Sequence, residues 1–251
     1  MRRTLVPAWL EAAIDQEVDL YPDGRLKQLV DDSLEQGGGA PLAIKYVPAK
    51  WARTYARSGG TLRISNTPGF TWGSGTYVTP LAFPISSAIF GRVGIVARFQ
   101  PAGWRVFDAT LPRKQELYMQ WVYSQPRRRQ LLLTTHSQVA NQFLRNLFRT
   151  TFQIDCVLFH PDQRNRFYTD HTDVWITVSD WNQGELVRTG GSARFQDAKM
   201  VVLVEEEFEP SADDIRRATL IGPRAPRTAN ASATAAIRSA YASNDVVHLH
   251  A

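Results

Sequence analysis

Eight short segments rich in β-branched and aromatic residues lie between Leu42 and Pro210, and their uneven spacing is what most restricts the folds open to this chain. They run Ala43 to Val47, Thr76 to Thr79, Val93 to Phe99, Arg105 to Asp108, Leu131 to Thr134, Ile154 to Phe159, Asp173 to Val178 and Met200 to Val204. Residues of these types suit a pleated, half-buried surface, so each segment is predicted to be a strand. Regular alternation of strand and helix would build a parallel doubly wound sheet. Here the spacers vary in length and hold fewer helices than strands, which predicts an α+β domain instead. With 43% hydrophobic and 11% aromatic residues among 251, the chain can bury a substantial core.

Ahead of this zone, two helical periodicities stand at Trp9, Leu10, Ala13, Ile14, Val18 and at Leu26, Leu29, Val30, Leu34. Tyr21-Pro22-Asp23-Gly24 divides them, and Gly37-Gly38-Gly39 stops the second. The predicted organisation is an N-terminal helical segment at 1–41, a central domain at 42–210 and an Ala/Ser/Arg-rich tail at 211–251, mobile or draped over the domain. Within the central domain, Pro48 to Arg57 opens on proline and ends at Ser58-Gly59-Gly60, the start and stop signals of a helix. A second helix, Ser137 to Arg149, carries Val139, Phe143 and Leu147 four apart, which predicts an apolar face with Arg145 and Arg149 outside it. Ala212 to Ala218 forms a short helical pattern before the tail.

Several chemistries are disfavoured. The single cysteine, Cys156, lies in the apolar run Cys156-Val157-Leu158-Phe159 and reads as a core residue. His136, His160 and His171 form no short ligand pair, so no metal site is expected. Neither a Gly-x-Ser-x-Gly elbow nor a phosphate loop ending in Gly-Lys-Ser or Gly-Lys-Thr is present. No apolar run near Met1 is long enough for a signal peptide or a membrane span. A cytoplasmic protein with no membrane partner is expected, or an effector exported without a cleavable signal. The net charge of +5 permits a polyanionic partner, and Arg127-Arg128-Arg129 suits either nucleic-acid contact or a solvated turn before Leu131.

Gly73-Ser74-Gly75-Thr76-Tyr77 delivers a tyrosine from a glycine turn into a strand start. Before it come the strand Ala43 to Val47, the helix Pro48 to Arg57, a glycine turn and Thr61-Leu62-Arg63-Ile64-Ser65; after it comes Phe83 to Gly91 with Ser87-Ala88. Over about a fifth of the chain, this order resembles the front half of the ADP-ribosyltransferase superfamily. The likeness is to the branch with the diphtheria-toxin-like, poly(ADP-ribose) polymerase and DNA-modifying toxin enzymes. The resemblance implies an ADP-ribosyltransferase-like split β-sheet core with short helices, and NAD as co-substrate. It further implies that Tyr77, after Gly75, stacks on the nicotinamide, that Ser87 and the Tyr46 backbone hold the carboxamide, and that Lys45 or Arg63 lies near the ribose or pyrophosphate. Lys45 stands where the family carries His or Arg. It can bond a hydroxyl or phosphate but cannot act as a neutral imidazole.

Cleaving ribose from nicotinamide builds oxocarbenium character, which a fixed carboxylate stabilises. Where the family has a glutamate opening a late strand, this chain has Asp173, one methylene shorter, so Asp173 and Tyr77 are the expected catalytic residues. Glu205 and Glu207, alternating after Met200 to Val204, are the competing source or else a solvated strand end, with Asp170 and Glu185 as further options. His160 or His171 is a candidate for proton transfer or a ribose contact. The resulting expectation is an NAD-dependent ADP-ribosyltransferase or NAD glycohydrolase, a toxin, effector or defence factor acting on an unknown protein or nucleic-acid acceptor. The alternatives are a catalytically inactive module of that fold, binding nucleotide, nucleic acid or protein, and an unrelated α+β structural or interaction protein.

Overall fold

The computed structural model describes residues 6–37, 41–48, 72–73, 75–83, 93–99, 101–126, 138–161, 173–178 and 195–202, with 234, 235, 237–239, 241 and 242 near the C-terminus. Among the described residues the elements are α1 Ala8–Gln16, β1 Asp19–Leu20, α2 Arg25–Gly37, β2 Leu42–Val47, β3 Thr76–Pro80, β4 Val93–Phe99, β5 Arg105–Asp108, α3 Pro112–Ser124, α4 Gln138–Thr151, β6 Cys156–Phe159, β7 Trp175–Val178 and β8 Phe195–Val202, with further helical residues between 234 and 242. The strands form one mixed sheet in the order β1-β5-β6-β7-β3-β2-β4-β8. The protein is α+β, as the irregular spacing predicts. All pairings are antiparallel except β5 with β6, whose connection carries α3 and α4 and is long enough for a crossover.

Predicted and observed strands coincide at 93–99 and 105–108 and differ by one or two residues at β2, β3, β6 and β7. Strand β8 differs more, since it starts at Phe195 and ends at Val202. The expected elements at Leu131 to Thr134, Thr61 to Ser65 and Ala212 to Ala218, and the helix after Pro48, lie outside the described residues. Among the described residues no helix is long and apolar enough to cross a membrane.

Because alternate strand residues point to opposite faces, the sheet carries two cores. On one face, Leu26, Leu29 and Val30 of α2 pack over Ala43, Val78, Ile95, Val106, Leu158 and Ile176. On the other, α1, α3 and α4 bury Leu10, Ile14, Trp121, Leu144 and Phe148 against Tyr77, Phe107, Val157 and Trp175. That second face continues over β2 and β4 as Leu42, Ile44, Tyr46 and Val96, where Ile237 and Tyr241 cover it. The Thr234 hydroxyl donates to the Leu81 carbonyl at 3.2 Å, so this part of the tail drapes over the sheet.

The N-terminal elements join the same sheet, because β1 pairs with β5 and the Tyr21 N–H donates to the Trp104 carbonyl at 2.9 Å. Ion pairs reinforce that edge: Lys114 of α3 with Asp19 at 2.9 Å, Arg105 with Asp15 at 2.6 Å and Arg113 with Glu17 at 3.0 Å. Of these cations only Lys114 is buried, so its pair counts for more than the solvated ones.

Helix α4 corrects the expected apolar face. Phe143 is 48% exposed, while Leu144, Phe148 and Arg149 are buried. Two stripes at spacing four run side by side, Phe143-Leu147 and Leu144-Phe148, and periodicity alone does not choose between them. The aromatic partners do. Phe148 meets Phe107, Tyr118, Trp121 and Phe152 with ring centroids 5.0 to 5.2 Å apart. Phe148→Ala is therefore expected to cost about 3–5 kcal/mol, and Phe143→Ala within about 0.5 kcal/mol, measured by urea unfolding. Comparable losses at the two sites would contradict this orientation of the helix.

Candidate functional site

The glycine string before β3 closes upon itself. Gly73 adopts φ +83°, and a Cβ there would stand 2.2 Å from the Asn146 side-chain oxygen on α4. At Gly75 a Cβ would stand 2.5 Å from the Val178 carbonyl oxygen and 2.8 Å from Thr177 Oγ1, so only glycine lets this segment lie against β7. The Tyr77 hydroxyl accepts from the Trp72 N–H at 3.0 Å and donates to the Gly73 carbonyl at 2.5 Å. Tyr77 is 7% exposed and meets Phe159 edge-on at 5.8 Å. Burial raises the pKa of its phenol, and the Arg149 charge, the Trp72 N–H, the Thr177 hydroxyl and the Arg145 charge oppose that rise.

Arg149, assigned from sequence to the outer face of its helix, is 2% exposed. Its Nη1 donates to the Trp72 carbonyl at 3.0 Å and approaches Thr177 Oγ1 at 3.4 Å, joining α4 to the turn and to β7. One turn earlier, Arg145 places its guanidinium 4.9 Å from the Trp72 ring centroid. Sequence reasoning missed both roles because Trp72, the partner the two arginines share, lies more than seventy residues away along the chain. The i, i+4 arginine spacing was visible, but on an amphipathic helix that spacing ordinarily marks the solvated side.

The sheet forks beside this turn. Strand β2 pairs with β3 only at Ala43↔Pro80 and Ile44↔Thr79, yet it stays paired with β4 as far as Val47. Strand β3 stays paired with β7 from Thr76 to Val78. Lys45, Tyr46 and Val47 therefore part from Thr76 and Tyr77, with Gly75 at the mouth. Tyr46 shares the α4 face with Tyr77, whereas Lys45 points to the α2 face. Lys45 is partly buried, and desolvation lowers its pKa from 10.5 to about 8.

Asp173 is 3% exposed and lies four residues before Thr177, the partner of Tyr77. In an extended chain that separation is about 13 Å, which sets Asp173 toward the Leu81 end of β3, away from the fork. His160 Nδ1 lies 2.9 Å from the Asp173 carbonyl oxygen. Thus Lys45, Tyr46, Gly75 and Tyr77 gather at the fork on two faces, and Asp173 does not join them. Strand β8 ends at Val202 opposite Val93, which also pairs with Val47, so β8 terminates at the fork end of the sheet. Arg63, Ser87, Glu205, Glu207, Asp170, Glu185, His136 and His171 lie outside the described residues. Among the described residues no group of three His, Cys, Asp or Glu could hold a metal ion. No family model, curated protein or solved structure matches this chain.

Two measurements test the site's construction. Tyr77→Phe leaves the buried Trp72 N–H without its acceptor and is expected to lower stability by about 1–3 kcal/mol in urea unfolding; an unchanged midpoint would remove the hydroxyl clamp. At Lys45 the folded state releases its proton first, since its pKa there is about 8 against 10.5. Unfolding then takes up a proton between those values, so this group's contribution to stability rises with pH across the window and levels above it. Lys45→Met is expected to raise stability at neutral pH and flatten that slope, read from unfolding curves at intervals across the window.

Proposed function

We propose that this chain binds NAD, or a nucleotide of like chemistry, at the fork between β2 and β3. The observation that carries the proposal is the parting of Lys45–Val47 from Gly75–Tyr77 while both strands keep their outer ladders. A primary carboxamide needs both a donor and an acceptor, and the backbone where two strands part is of that chemistry. The Tyr46 backbone would hold the carboxamide, Tyr77 would support the floor from within the core, and Lys45 would supply positive charge from the opposite face. A lysine with a lowered pKa beside such an opening is also a common mark of a working site.

Transfer of ADP-ribose, or hydrolysis of NAD, requires a carboxylate within reach of the ribose. With the nicotinamide at the fork, Asp173 is too far along β7 to serve, and this favours a second reading, a catalytically inactive binding module. For the enzyme, a toxin, effector or defence factor acting on a protein or nucleic acid, Glu205 and Glu207 are the candidate acids, with Asp170 and Glu185 as further options.

NAD at a hundredfold excess over its Kd is expected to stabilise the chain by about 2.7 kcal/mol, read as a rise in Tm that Lys45→Met diminishes. Nicotinamide release that survives Asp173→Asn and is lost in the Glu205→Gln/Glu207→Gln pair would establish the enzyme. Stabilisation without release would establish the binding module. If saturating NAD leaves Tm unchanged, the nucleotide site is refuted.

A further inference from the structure

The tail meets the sheet on the α4 side of β2 and β4. Thr234, Ile237, Arg238 and Tyr241 fall three and four apart among the helical residues between 234 and 242, so they share one stripe. That stripe is the docked one. The Thr234 hydroxyl bonds the Leu81 carbonyl, Ile237 is fully buried, and Tyr241 packs with it on the cluster of Leu42, Ile44, Tyr46, Leu81 and Val96. Tyr46, the member of this cluster at the fork, is 5% exposed. Arg238 is the misfit in the stripe. Its Nε and Nη2 are shut off from solvent without a hydrogen-bond partner, and among the described residues no carboxylate pairs with it. Strands β2 and β4 turn no acid toward the tail: by register the charged residue on that face is Arg98, opposite Leu42, a further cation. Buried Lys114, by contrast, has Asp19.

We propose that the helical tail is a releasable strap over the Tyr46 side of the fork, held down by Ile237 and Tyr241 against the uncompensated charge of Arg238. Burying the two apolar side chains favours the docked state. Docking also strips water from two guanidinium donors and returns no hydrogen bond, a cost of the same order as the gain from one apolar side chain. The opposing terms act on a single stripe, so the preference for the docked state is shallow. A helix this short does not persist alone in water, so release and unwinding are one event. Release uncovers Tyr46 and the apolar face of β2, while Lys45, on the α2 face, keeps its surroundings. The strap would thereby set how much of the protein can receive a ligand at the fork; that consequence rests on the fork being the ligand site, whereas the release itself does not.

The test uses the full chain and two readouts. Hydrogen exchange of the tail amides reads the docked fraction, because the released segment is unprotected. Hydroxyl-radical labelling of Tyr46, followed by mass spectrometry, reads the cover over the fork. Ile237→Ala is expected to lower tail protection by about tenfold or more and to raise Tyr46 labelling. Arg238→Met keeps the apolar stem and deletes the charge, so it is expected to move both signals the other way, with protection up about tenfold. Thr234→Val, which loses only the bond to Leu81, should follow Ile237→Ala by a smaller factor. Protection that is unchanged or reduced in Arg238→Met overturns the proposal, and so does Tyr46 labelling indifferent to Ile237→Ala. With NAD as the probe, Kd is expected to fall in Ile237→Ala and rise in Arg238→Met, by the same factors as the exchange. NAD bound equally by wild type and both variants overturns control of the site by the strap. NAD bound by none of them, with Tyr46 labelling still following the tail, supports the strap and refutes the nucleotide at the fork.

Discussion

The middle of this sheet depends on one closed hydrogen-bond circuit. The Tyr77 hydroxyl holds both the Trp72 N–H and the Gly73 carbonyl, and Arg149 holds the Trp72 carbonyl, so a turn without secondary structure of its own is clamped between β3 and α4. These groups are buried, where an unmet backbone N–H or C=O is costly. Gly73 and Gly75 make it possible by admitting Asn146 and Val178 where side chains would collide. Strand β3 then sits against β7 in a set register, and every strand on either side takes its place from that pairing.

The fork follows from the same constraint. Strand β3 answers to β7 over Thr76–Val78 and to β2 only at Thr79 and Pro80, because the clamped turn draws its beginning toward β7 and α4. Strand β2 meanwhile keeps its full ladder to β4. The tail contributes as well, since Ile237 and Tyr241 close the apolar surface of β2 and β4 that the helices leave uncovered.

Much of the fold was legible from residue order. Strands β4 and β5 were placed to the residue, because each is a dense run of β-branched or aromatic positions bounded by turn residues. Strand β8 was harder to read, since Phe195-Gln196-Asp197-Ala198-Lys199 has no such density and its pairing to β4 supplies what composition does not. Less of the candidate site was legible. The glycine string was recognised as a turn into a strand, but not that the Tyr77 hydroxyl returns to that turn. Asp173, expected to open a strand, stands two residues before β7, and antiparallel register sets it at the far end from Tyr77. Nothing within a single segment encodes that register.

By itself the sequence determined the class of the protein, the positions of most strands and helices, and the need for glycine before Tyr77, because these rest on local propensity and on periodicities of two and 3.6 residues. Only the tertiary structure decided which stripe of α4 faces inward, where Arg145 and Arg149 lie, how β2 and β3 part, and that Lys45 and Tyr77 occupy opposite faces. Each of those depends on partners far away in the chain. A charged residue is placed by whatever can solvate it, and for the arginines of α4 that includes an indole ring and a backbone carbonyl at Trp72.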